Sequence, residues 1–116
     1  MGSLRTFIVA SCLSVLAASS ATAETRAQLI EKGRAILEAK CVRCHGIGKD
    51  DASKHPEAPP FREVVKRYPP ENLAEALAEG ISSGHPDMPE FVFQPPEIEA
   101  IVTYLGTLAP LKAMAK

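Results

Sequence analysis

Cys41-Val42-Arg43-Cys44-His45 places two thiols and an imidazole within five residues. Cysteines three positions apart, followed at once by a histidine, match the pattern for covalent attachment of a c-type haem. Each thiol can add to a porphyrin vinyl group, and the adjoining imidazole can then supply one axial ligand to the iron. Two other chemistries use a Cys-x-x-Cys pair. A thiol–disulfide exchange motif belongs in a βαβ setting, and no strand-like run flanks these residues. A structural zinc site needs a second ligand pair at matching spacing, and there is none. His55 and His85 are isolated, and each precedes a proline, which favours loops.

With His45 on one side of the iron, the residue on the other side decides whether the metal can bind substrate. Met88 is the leading candidate. It sits in the turn-rich run Ser82-Ser83-Gly84-His85-Pro86-Asp87-Met88-Pro89-Glu90-Phe91, braced by Pro89 and followed by Phe91, which can shield a haem face. A methionine on a helix is usually core filler, whereas one in a proline-braced loop has less packing reason to be there. His85 competes from the same loop, His55 from the preceding one, and an open position is the remaining option.

The elements that must hold these residues read as helices throughout. Thr25 with Gln28 three residues on forms a capping-box pair that starts a helix running to about Lys40. On it Leu29, Ile30, Gly33, Ile36 and Leu37 share an arc of about 120°, while Glu31, Arg34 and Glu38 face away. Gly33 in the middle of that arc costs roughly 1 kcal/mol against alanine, which a close helix contact would offset. From Gly46 to Pro60 no periodicity is visible, and so long a loop in a small domain is expected to wrap something. A short helix is predicted from Phe61 to Arg67, ended by Tyr68-Pro69-Pro70. Another runs from about Glu71 to Glu79, with Leu73, Leu77 and Ile81 on one side and Glu71, Glu75 and Glu79 as a solvated row on another; Gly80 stops it. After Pro95-Pro96 a last helix is predicted from about Glu97 to Leu108, presenting Ile98, Ile101, Val102, Leu105 and Leu108, with Tyr104 at the margin and Pro110 as its end. No strands, repeats or second domain are expected.

The chain has 116 residues and a net charge of −1. Arg5, an apolar run over residues 6–18 and Ala21-Thr22-Ala23 have the form of a cleaved secretory signal peptide. The run is too short for a membrane span, which takes about 20 apolar residues. Cleavage after Ala23 divides the chain into residues 1–23 and a single domain over residues 24–116. It removes one basic residue and leaves a mature charge of −2, against a nucleic-acid-binding role. Val9-Ala10-Ser11-Cys12 offers a lipoprotein alternative, with the protein anchored through Cys12. A 93-residue domain has a thin core and usually needs a staple, which covalent haem would provide.

In their order along the chain these features resemble class I cytochromes c. The haem motif near the mature N-terminus, Gly33 and Leu37 ahead of it, Pro59-Pro60-Phe61, Met88-Pro89-x-Phe91 and Ile101-x-x-Tyr104-Leu105 carry the resemblance, which spans residues 26–108. It implies the all-α class I cytochrome c fold, in which N- and C-terminal helices cross at Gly33 against Tyr104 and Ile101. It further implies that the Pro59 carbonyl accepts a hydrogen bond from His45. The chain has no tryptophan, which many larger members use to hold a haem propionate, so Arg62, Arg67 and Tyr68 are the candidates for that task.

The expected protein is a non-enzymatic periplasmic electron carrier with one covalent haem c, monomeric, passing single electrons between redox protein partners by outer-sphere transfer. Cys41 and Cys44 would form the thioethers, His45 and Met88 the axial ligands, and Pro59, Phe61, Phe91, Tyr68 and Arg62 the pocket. Transfer would pass through an exposed haem edge near Cys44, with Arg43, Lys49 and Lys54 nearby. Two rival readings are a peroxidase-like haem enzyme with a displaceable Met88, and a dedicated subunit of a larger dehydrogenase or oxidase bound through the glutamate row.

Overall fold

A computed structural model of the chain describes residues 22–82 and 84–110, so the signal segment and Cys12 lie outside the described residues. Four α-helices and one 3₁₀ turn make up the regular structure, and there is no strand among the described residues. Helix α1 spans Arg26–Lys40, α2 Phe61–Arg67, α3 Ala74–Glu79 and α4 Pro95–Gly106, with the 3₁₀ turn Pro70–Leu73 leading into α3.

The start of α1 follows its sequence signal. Thr25 Oγ1 accepts the Gln28 N–H at 3.2 Å and Gln28 Oε1 accepts the Thr25 N–H at 2.8 Å, a reciprocal cap on two otherwise orphaned donors. Gly33 and Leu37 are buried on its inner face, Ile30 and Ile36 pack against the core beside them, and Glu31, Arg34 and Glu38 are exposed.

Crossing α1 against α4 is the main packing event. A methyl group at Gly33 would collide with the Ala100 carbonyl oxygen and approach Tyr104 Cβ to 2.9 Å. The two backbones therefore touch where only a glycine fits. Ala100 and Tyr104 are the partners in this contact, where Tyr104 and Ile101 were expected. Tyr104 is also not marginal: it is buried together with Ala100, Ile101 and Leu105. Helix α4 packs on two sides at once, so its buried face is wider than one apolar arc.

Two helix starts differ from the sequence expectation, both at prolines. Helix α4 begins at Pro95, two residues earlier than predicted, capped by Gln94 and Glu97. Proline is well placed in a first turn, because the N–H it lacks has no partner there anyway. The predicted helix from Glu71 is instead a 3₁₀ turn that tightens into α3 at Ala74. Gly80 ends α3 with φ 107°, a conformation that side chains resist. Helix α4 stops at Gly106, short of Pro110, where Thr107 and Leu108 close the last turn on Tyr104 and Leu105. Glu71, Glu75 and Glu79 are all exposed.

The long loop from Gly46 to Pro60 organises itself. The Asp51 carboxylate accepts the Ile47 and Gly48 N–H groups at 3.0 and 2.7 Å, Ser53 Oγ accepts the Gly46 N–H at 3.0 Å, and the Phe61 N–H closes on the Gly46 carbonyl at 2.8 Å. This folding places Ile47 in the core, where Tyr104 donates its hydroxyl proton to the Ile47 carbonyl at 2.7 Å. Burial raises the Tyr104 hydroxyl above its ordinary range and keeps it a donor. Phe93 joins the core from the opposite loop, its N–H bonded to the Leu77 carbonyl.

A candidate haem site between two loops

Helix α1 ends at Lys40, and its C-terminal carbonyls hold the residues that follow. The Cys41 and Val42 N–H groups both bond to the Leu37 carbonyl, and the Cys44 and His45 N–H groups turn back onto the Cys41 carbonyl at 3.1 and 2.9 Å. The Cys-x-x-Cys-His run is thus a single tight turn set directly on the C-terminal end of α1. Both thiols are free. Burial pushes the Cys41 thiol up to about 11 despite the nearby Lys40, so it stays protonated at neutral pH.

These residues open onto a cavity of about 900 Å³, near the upper end of the roughly 300–1,000 Å³ typical of small-molecule sites. On one side Cys41, Cys44, His45, Pro59 and Phe61 line it; Met88, Pro89 and Phe91 line it from the loop before α4. His45 is fixed twice over. Its Nδ1 lies 2.7 Å from the Pro59 carbonyl, and its ring stacks on Phe61 with centroids 4.8 Å apart. A carbonyl can only accept, so Nδ1 carries the proton and the Nε2 lone pair remains for a metal. Two thiols, an imidazole presented by one nitrogen, and a thioether sulfur around one apolar-walled space are a donor set that fits covalent haem.

The model of the family described as cytochrome c oxidase, cbb3-type, subunit III, matches residues 28–105, from the first turn of α1 to the end of α4. The chain belongs to this family of c-type cytochromes. Cytochrome c-552 of Bradyrhizobium diazoefficiens is 31% identical over 99 residues, covering 85% of this chain and 92% of that protein. A cytochrome c-553-like protein of Synechocystis sp. is 32% identical over 78 residues, covering 67% and 68%. No solved structure matches significantly. Membership makes this a small all-α monohaem cytochrome with one covalently bound haem c.

The structure of the cytochrome gathers most of the predicted pocket and leaves two residues outside it. Arg62 is turned away to the Asp51 carbonyl, and Tyr68 is 58% exposed; neither lines the cavity. The same holds for Arg67. Arg67 and Tyr68 are exposed at the C-terminal end of α2, and Arg62 is half-buried against the loop that carries Asp51. Phe91 is held by Lys40, whose Nζ sits 5.8 Å above the ring, tying the end of α1 to the methionine loop.

His55 and His85, the two rival ligands, also reach the cavity, but carboxylates engage them. Glu57 and Asp87, which do so, were not among the predicted site residues. A repeated tripeptide, His55-Pro56-Glu57 and His85-Pro86-Asp87, was the available signal. No described helix is long and apolar enough to cross a membrane.

Proposed function

We propose that the protein is an exported electron carrier in which Cys41 and Cys44 hold the haem by thioethers while His45 and Met88 occupy its two axial positions. One observation carries the reading: His45 and Met88 line the same cavity as both thiols, with the His45 ring locked so that Nε2 is the free nitrogen. Bound haem supplies a reversible ferric–ferrous couple. The chain's own contribution is to close both coordination positions, so that no substrate site is left and electrons pass by outer-sphere transfer. Pro59 and Phe61 orient the imidazole; Phe91 and Pro89 keep water from the methionine side. Thioether ligation and an apolar wall both favour the ferrous state and raise the potential.

Residues 1–23 are proposed as the export signal, with the mature chain starting at Glu24 in the periplasm. The test of ligation is an absorption spectrum of the purified protein in both oxidation states. A weak red charge-transfer band in the ferric form, lost in Met88→Ala, supports the reading; its absence in the wild type sinks it. Ready binding of carbon monoxide to the reduced protein would favour the peroxidase-like alternative instead.

The exposed row Glu71, Glu75 and Glu79 keeps one further reading open, a docked subunit of a larger redox complex. Size-exclusion of a native extract separates the two, since a carrier elutes free near its monomer mass and a subunit only with its enzyme.

A further inference from the structure

His55-Pro56-Glu57 and His85-Pro86-Asp87 lie thirty residues apart and make the same two kinds of contact. Within each tripeptide, the backbone N–H of the acidic residue donates to the Nδ1 of its own histidine at 3.2 Å. A nitrogen that accepts a hydrogen bond carries no proton, so each neutral ring is protonated on Nε2. Each Nε2 then reaches across to the other tripeptide's carboxylate: His55 to Asp87 at 3.3 Å, and His85 to Glu57 at 2.8 Å. The two rings meet edge to face at 5.4 Å. The result is a crossed pair of histidine–carboxylate bonds between two loops that share no backbone ladder.

Both ends of this pair are tied to the haem-binding residues. The His55 N–H bonds to the Cys44 carbonyl at 3.1 Å, and the Met88 N–H bonds to the His85 carbonyl at 3.2 Å. All four side chains also line the haem cavity. We infer that His55, Glu57, His85 and Asp87 are positioning residues, a clasp that holds the Met88 loop shut against the Cys44 side of the pocket and so protects Met88 from displacement by outside ligands. This rests on the reading of Met88 as the axial ligand.

An outside ligand can reach the iron only when the Met88 loop opens, and opening breaks both crossed bonds. Removing them from the loop that does not carry Met88 therefore raises the affinity for such a ligand without touching the methionine's own neighbours. Imidazole binding to the ferric holoprotein is the measurement, followed by loss of the red charge-transfer band. Partly exposed pairs of this kind are modest, so Glu57→Ala is expected to raise imidazole affinity about threefold, and His55→Ala with Glu57→Ala about tenfold. Glu57→Gln keeps an oxygen to accept the His85 Nε2–H and is expected to return the affinity to within about twofold of wild type.

Glu57 is 68% exposed, so its variants report on the clasp without endangering the fold. An affinity in the double variant within twofold of wild type overturns the clasp, and so does a Glu57→Gln protein that behaves like Glu57→Ala. A wild-type protein with no red band overturns the Met88 assignment first and the clasp with it, a result distinct from a normal band with unchanged imidazole binding.

Discussion

Tyr104 on the last helix donates its hydroxyl proton to the carbonyl of Ile47, the second residue past the Cys-x-x-Cys-His run, at 2.7 Å. Through this bond the helix crossing reaches the haem-binding segment directly. Tyr104→Phe leaves the Ile47 carbonyl buried and unpaired, at a cost of about 1–3 kcal/mol. Denaturant unfolding of the ferric protein should show a lower midpoint with an unchanged slope, and the haem spectrum should be unaltered. The Tyr104 hydroxyl titrates above its ordinary range, so its contribution is complete below the unfolded value and is lost as pH rises through the folded one.

Gly33→Ala tests the crossing itself. Alanine gains roughly 1 kcal/mol of helix propensity over glycine, but the new methyl meets the Ala100 carbonyl, which is backbone and cannot rotate away. Overpacking of this kind prevails, and a net loss of about 2 kcal/mol is expected in thermal or denaturant unfolding. A variant as stable as wild type would mean that the helices part more easily than this packing implies.

Met88→His is expected to keep the fold, because Met88 is only half-buried, in a mostly exposed loop outside the main cluster of core side chains. It should abolish the red charge-transfer band and lower the reduction potential, since a second imidazole favours the ferric state more than a thioether does. Voltammetry reads the change.

Cys41 gives a pH-dependent signature in the haem-free chain. Its thiol titrates at about 11 instead of 9.0, so burial of the neutral form favours folding below pH 9, and this contribution disappears as pH rises through 11. Alkylation of Cys41 should correspondingly be slow at neutral pH and accelerate between pH 9 and 11. In the holoprotein a thioether has no proton to lose, and the dependence vanishes.

The sequence made legible what depends on neighbours in the chain. The capping of α1, the close approach at Gly33, the extent of α2 and the stop at Gly80 each follow from a few adjacent residues, and the structure has them all. What stayed hidden depends on partners far away. Ile47 and Phe93 are core residues in loops, where no period announces burial. Tyr104 looked marginal because an apolar arc describes one packing face, and α4 has two. Arg62 and Tyr68 are suited to a propionate by residue type, yet Arg62 is engaged by the Asp51 carbonyl and Tyr68 is exposed just past the end of α2. In the candidate site, the haem turn, Pro59, Phe61, Met88 and Phe91 were readable from spacing and resemblance. The carboxylates facing His55 and His85 were not, since each pairing crosses between two loops that sequence reading treats separately.

The bond from His45 to Pro59 spans 14 residues, whereas the bond from His55 to Asp87, which ties in the Met88 loop, spans 32. Loop closure of the longer segment costs about 0.7 kcal/mol more, by the logarithmic growth of closure entropy with length. The imidazole of His45 can therefore be set in place locally and early. The Met88 side waits for the longer loop to close. In refolding of the ferric protein this order should appear as recovery of imidazole ligation ahead of the red sulfur band. During maturation it would leave the two thiols exposed on an organised turn while the door opposite still stands open.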